Sequence, residues 1–237
     1  MLEDLKEKVL NANQSLVKYG LVTLTWGNVS GIDWERNLIV IKPSGVEYGK
    51  MTPDNMVVVN MNGKMVEGKL NPSSDTPTHV ELYKAFFERH LENDIGGITH
   101  SHSEYATIFA QAGIVIPCFG TTHADHFKGA IPVTRFLTIE EVKEGYELNT
   151  GKIIIECFKN VNPVAMPGVL VRGHAPFTWG KSPEESVKNS LALERIAKMA
   201  LHSLELNPAL KGLPDYIMKK HFNRKHGEDA YYGQHNK

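Results

Sequence analysis

The residues best suited to chemistry in this 237-residue chain are its histidines, of which there are 11. Histidine is the commonest metal ligand and the side chain that titrates near neutrality. His100-Ser-His102 closes a segment, Ile95 to His102, that reads as a strand. Side chains at i and i+2 of a strand share a face, so two imidazoles converge there. His174 ends a second strand-like run, Ala165-Met-Pro-Gly-Val-Leu-Val-Arg-Gly-His174. A third imidazole at that point could close one face of a zinc site while leaving a position open for substrate. Plainer readings stand beside these: an HxH pair arising by chance, and a His174 bonded to a turn carbonyl. Asp75, just before Pro77, is a candidate carboxylate for the same site or an ordinary helix-start aspartate favoured by the macrodipole. HExxH, cupin and HxHxDH spacings are all absent.

Three segments could cradle an anion: Trp26-Gly-Asn-Val-Ser-Gly31, Lys42-Pro-Ser-Gly45 and Asn71-Pro-Ser-Ser-Asp75. Each puts small residues with N–H and hydroxyl donors at a turn, and the third runs into a helix N-terminus. Each also reads as a plain β-turn. No Walker A or GxGxxG pattern is present, so nucleotide binding is not indicated. His123, Asp125 and His126 form a cluster that serves either as a structural hydrogen-bond knot or as an acid/base station. The basic and aromatic stretch from Lys219 to Gln234 is a solvated tail, or a lid or intersubunit arm that brings Tyr232 as a phenolic acid/base.

These groups need a frame. Leu2, Leu5, Val9, Ala12 and Leu16 recur every three or four residues, which predicts a helix over 2–19 that Gly20 stops. From Leu21 to about Lys69 the β-branched runs Leu38–Ile41 and Met56–Val59, with an Asn62-Gly63 turn, predict antiparallel strands. Pro77 suits the first position of a helix running to about His90, with Thr76 as N-cap. A helix over 103–111, a short strand over 115–119 and a Glu-rich helix over 138–147 follow. Ser182-Pro-Glu-Glu is a capping box opening a long helix to about Leu204. With no repeat or linker, the expected fold is a single α/β domain over 1–237, its mostly antiparallel sheet packed by helices.

Composition limits the functions further. Twenty-six basic against 27 acidic residues leave a net charge of −1, so no global field recruits nucleic acid or an anionic membrane. Cys118 and Cys157 lie far apart and match neither a CxxC nor a disulfide framework, which fits a reducing cytosol. No signal peptide is read at the amino terminus, and the longest apolar run, Val164 to Val171, is far shorter than the roughly 20 residues of a membrane helix. A cytoplasmic protein is expected.

Taken together, Thr25–Ser30, Ile41–Gly45, Pro72–His79, Thr99–His102, Gly120–Asp125, Met166–Val171 with His174, and Ala230–Gln234 resemble the class II aldolase and epimerase family, over nearly the whole chain. The match is closest to its ketopentose-phosphate epimerases. The resemblance implies a three-layer α/β/α fold, a homotetramer with fourfold symmetry, and one divalent metal per subunit, usually zinc, at subunit interfaces. It implies His100, His102 and His174 as metal ligands with Asp75 beside them. It assigns phosphate and substrate contacts to Gly27, Asn28, Lys42, Ser44, Gly45, Ser73, Ser74 and Thr121. Asp125 and Tyr232 match the family's acid/base pair, and His221 and Arg224 belong to an arm, about 213–237, reaching a neighbouring site. The family's aldolases carry glutamate where this chain has Asp75, which favours the epimerase. The implied reaction interconverts L-ribulose 5-phosphate and D-xylulose 5-phosphate by C3–C4 cleavage, rotation of the aldehyde and re-addition. The alternatives are a class II aldolase of the L-fuculose 1-phosphate type and a non-catalytic metal-binding protein of the same fold.

Overall fold

The computed structural model describes residues 2–227 and 230–232. Alternation in the apolar runs sets its layers. In β2 (Leu38–Ile41) and β3 (Val57–Asn60), Ile39, Ile41, Val57 and Val59 enter one buried cluster while Val40 and Val58 enter another. Side chains of period two therefore bury both faces of the sheet. Onto one face packs α1 (Glu3–Lys18), through Val9, Ala12 and Leu16. The other is covered by α2 (Thr76–Glu88) and α5 (Ile139–Cys157), through Val80, Leu82, Ile153 and Ile154. The remaining strands are β1 (Asn28–Asp33), β4 (Met65–Glu67), β5 (Gly97–His100), β6 (Gly168–Leu170) and β7 (Pro176–Gly180). The remaining helices are α3 (Glu104–Ala112), α4 (Thr121–Ala124), α6 (Pro183–Leu206) and α7 (Asp215–His226). The sheet order is β4-β3-β2-β1-β5-β7-β6, and every neighbouring pair is antiparallel. This is the α/β/α arrangement with a central antiparallel sheet that the sequence leads one to expect. No helix among the described residues is long and apolar enough to cross a membrane.

Several local expectations are corrected. Ser182 does accept a hydrogen bond from the Glu185 amide at 3.2 Å, but the Glu185 carboxylate reaches the Lys181 amide instead of closing a capping box. Asp75, not Thr76, occupies the position before α2, and Pro77 is its second residue. Residues 115–119 form no strand; Ile116 makes one isolated bridge to Ile131. The run that ends at His174 is a strand only over Gly168–Leu170, after which Val171 to Ala175 turn the chain into β7. The Glu-rich helix extends beyond 147 to Cys157, and a break in helical geometry at Gly145 falls within its expected part. Cys118 and Cys157 are free thiols.

Candidate active site

Strand register builds the site. Asn28 in β1 pairs with His100 in β5, and His100 pairs with Phe177 in β7, so the three stand in one row at the same end of the sheet. His100 ends its strand and His102 lies beyond it, so strand alternation does not put the two on one face as expected. The rings converge nonetheless, with their Nε2 atoms 3.1 Å apart. His174 arrives from the β6–β7 turn, and one nitrogen from each of the three histidines lies within 4.8 Å of the others.

These imidazoles are in the state a cation needs. Burial, reinforced by the neighbouring His174 and His102, holds His100 well below its usual range. Burial likewise lowers His102 and His174, with Asp75 opposing the shift in both. His100 Nδ1 donates to the Pro176 carbonyl at 3.0 Å, since a carbonyl can only accept. That leaves its Nε2 lone pair for a metal. Phe177 stacks on the His100 ring, centroids 4.2 Å apart. Three neutral nitrogens so placed fit a divalent cation such as zinc.

The three turn segments meet the histidines in one cleft of about 360 Å³, lined among others by Gly27, Asn28, Lys42, Ser44, Gly45, Ser73, Ser74, Asp75, His100, His102 and His174. Two of the segments are stitched together: Ser44 N–H donates to Asn71 O and Ser73 N–H to Lys42 O, both at 2.9 Å. Asn28 Nδ2 joins the first to the third, donating to Ser73 Oγ at 3.0 Å and Asp75 Oδ2 at 2.6 Å. Asp75 thus makes no side-chain cap on α2 and turns its carboxylate toward the cleft side of Asn28. Asn28 Oδ1 is buried with no partner among the described residues, an acceptor left for a ligand. Lys42 is buried, its ammonium donating to Pro43 O at 3.2 Å. Burial lowers its pKa, with Asp75 opposing.

Asp125, Thr121, His221, Arg224 and Tyr232 gather elsewhere, around α4 and α7. Arg224 forks onto Asp125 through Nε at 2.9 Å and Nη2 at 2.6 Å, and His221 Nδ1 lies 3.2 Å from Oδ1. Burial alone would raise the Asp125 carboxyl, but the bonds from Arg224 and His221 outweigh it and hold it below the ordinary carboxylate range. Thr121 opens α4, its carbonyl accepting the Asp125 amide at 2.9 Å. Tyr232 is exposed, its ring 5.0 Å from the Arg224 guanidinium. Gly233 and Gln234, which complete the last motif, lie outside the described residues, as do the other residues of the 213–237 arm after Tyr232. One chain therefore presents the histidine cleft and the Asp125–Arg224–His221 cluster as two groups, the second absent from the residues that line the first.

A family model described as Class II Aldolase and Adducin N-terminal domain matches residues 7–201. The chain belongs to the class II aldolase family. Proteins named L-ribulose-5-phosphate 4-epimerase UlaF, from Salmonella paratyphi B (strain ATCC BAA-1250 / SPB7) and from Salmonella typhi, are each 54% identical to it over 233 residues, 98% of this chain and 100% of theirs. The solved structure of an L-fuculose 1-phosphate aldolase matches with a TM-score of 0.76 at 24% identity, covering 93% of this chain and 95% of its own. A second, from Glaciozyma antarctica PI12, matches with a TM-score of 0.75 at 18% identity, covering 96% and 84%. At such identities the structural likeness shows the fold alone.

In this class II aldolase-family chain, Tyr146 reaches one of the three clustered histidines, a contact the sequence does not announce. Its hydroxyl is 3.5 Å from His174 Nδ1, and burial followed by Asp75 and Glu147 raises its pKa. It sits 28 residues from its partner, directly after the Gly145 break, and no local motif announces it.

Proposed function

We propose that this chain is a metal-dependent L-ribulose-5-phosphate 4-epimerase. The observation that carries the reading is the single cleft in which three neutral histidines face a cradle of serines, glycines and a buried lysine. Full-length similarity at 54% identity to proteins of that name supports it.

The chemistry dictates the rest. The C4 proton of a ketopentose phosphate is two carbons from the ketone and is not acidic, so inversion at C4 proceeds by breaking C3–C4. His100, His102 and His174, with Asp75 alongside, would hold a divalent cation, zinc in our reading, which would supply Lewis acidity to the cleavage. Lys42, Ser44, Gly45, Ser73, Ser74 and the Gly27-Asn28 backbone retain the phosphate, so glycolaldehyde phosphate stays bound while it rotates. Asp125 and Tyr232 exchange the proton of the C4 oxygen, one for each epimer. Thr121, His221 and Arg224 hold that pair. Because the two loci are separate in one chain, the complete site forms between subunits of a homotetramer, each arm serving a neighbour. Exposed Trp26, which lines the cleft, and Phe136, beside Gly173, supply apolar surface for such an assembly. The two free thiols fit a cytoplasmic enzyme.

The test is a coupled assay of zinc-loaded protein for D-xylulose 5-phosphate formed from L-ribulose 5-phosphate, with free glycolaldehyde phosphate followed in the same sample. Xylulose 5-phosphate without released aldehyde is expected. Release of the aldehyde would make it an aldolase, and bound metal without turnover on any sugar phosphate would make it a binding protein.

A further inference from the structure

Tyr48 has no part in the reaction as described, yet it touches two pieces of the phosphate cradle. It opens the 3-10 turn Tyr48–Lys50 with its side chain buried. Its hydroxyl donates across two carbonyl oxygens, those of Trp26 at 2.9 Å and Gly27 at 2.8 Å. The face of the same ring lies under the Lys42 ammonium, 5.0 Å from the centroid. Tyr48 therefore joins the loop entering β1 to the end of β2, two segments that have to stand at a fixed separation to grip one phosphoryl group.

Both segments are also tied to the 71–75 turn, through Asn28 Nδ2 and the Lys42 carbonyl, but Tyr48 touches the two directly. Gly27 has φ +88°, and a Cβ there would lie 2.7 Å from the His100 carbonyl oxygen. Its loop is pressed against the metal-site strand on one side, and the Tyr48 hydroxyl holds its carbonyls on the other. Lys42 has no ion-pair partner among the described residues, and its burial disfavours the charged form. An aromatic face stabilises an ammonium in such a place without neutralising it for an incoming anion. A phenol, apolar in its body and polar at its tip, meets both needs.

We propose that Tyr48 is the positioning residue of the phosphate subsite, holding the Gly27 loop and the Lys42 ammonium in the arrangement that receives the substrate phosphoryl group. The proposal rests on the sugar-phosphate reading of the cleft. Its two contacts are separable, because Tyr48→Phe keeps the ring and loses the loop hydrogen bond, whereas Tyr48→Leu loses both.

The experiment measures inhibition of L-ribulose 5-phosphate turnover by inorganic phosphate, with KM, kcat and bound metal per chain, for the parent, Y48F, Y48L and K42M. In Y48F the phosphate inhibition constant and KM are expected to rise about fivefold, the effect of one lost hydrogen bond. In Y48L they are expected to rise by roughly a further fivefold as the cation–π contact goes. In both, kcat should fall less than KM rises, and metal content should stay unchanged. Phosphate constants equal to the parent's in Y48F and Y48L, with binding lost in K42M, would overturn the role of Tyr48 and leave the phosphate reading intact. Loss of metal and kcat with an unchanged phosphate constant would also overturn it, making Tyr48 scaffold. Failure of phosphate to compete in the parent, or parent-like competition in K42M, would overturn the reading of the cleft itself.

Discussion

His102 and Asp125 respond to substitution in opposite ways if one ligates and the other moves a proton. His102→Asn removes one of three convergent nitrogens, so bound metal per chain and turnover should be lost together. Asp125→Asn leaves all three in place, and epimerisation should fall by about 10²–10⁴, the usual worth of a positioned acid/base, with metal content unchanged. Metal analysis beside the coupled assay separates the cases, and metal loss from D125N would put Asp125 among the ligands. Arg224 offers a finer test. Its guanidinium donates two hydrogen bonds to Asp125 and helps hold the carboxyl below its ordinary range. In Arg224→Gln the Asp125 pKa therefore rises, and the ionised form is lost at a higher pH as the medium is acidified. The acid limb of the kcat/KM profile should move to higher pH. An unmoved limb would mean that Asp125 is not the group titrating there.

The strands and helices place these residues through contacts that local sequence does not display. β5 is gripped at both ends: His100 faces the cleft, while a Cβ on Gly97 would lie 2.4 Å from the Pro183 nitrogen at the start of α6. Gly97→Ala has backbone, not a movable side chain, in its way, and should cost about 3 kcal/mol, the upper end of the usual overpacking range, in urea unfolding. Ser182→Ala removes one cap from the same junction and should cost about 1 kcal/mol; equal losses would mean that the approach of helix to strand is not tight. Helices with strong spacing or capping signals, α1, α2 and α6, are legible in the sequence itself. The β6–β7 hairpin is not, because β7 begins with Pro176 and is buried on both faces, so it shows neither alternation nor a turn pair. The sequence pattern makes α5 too short because Asn149 and Gly151 look like breakers, whereas Ile153 and Ile154 pack it into the core. Ligand types are visible in short motifs. Their meeting is not, since it follows from β5 lying between β1 and β7, strands far from it in the chain on either side.

At the scale of the whole molecule, catalysis depends on where each half of the site comes from. Gly27, Ser73, Lys42 and the three histidines share one cleft, while Asp125 is engaged by Arg224 and His221 of its own α7. If catalysis used both loci of the same chain, every H102N or D125N subunit would carry one fatal defect whatever its neighbours. If the loci belong to adjacent subunits of a closed ring, a D125N chain still offers an intact metal cleft to the intact Asp125 of an H102N chain. Random reassembly of the two inactive variants in equal amounts should then complete about one site in four, restoring about a quarter of parental turnover. The variants would be mixed, dissociated and reassembled, then sized and assayed, with each refolded alone as control. Recovery near that fraction in the tetramer peak requires sites shared between chains; a mixture as inactive as its components would place the working Asp125 and histidines within one subunit and remove the reason for the tetramer.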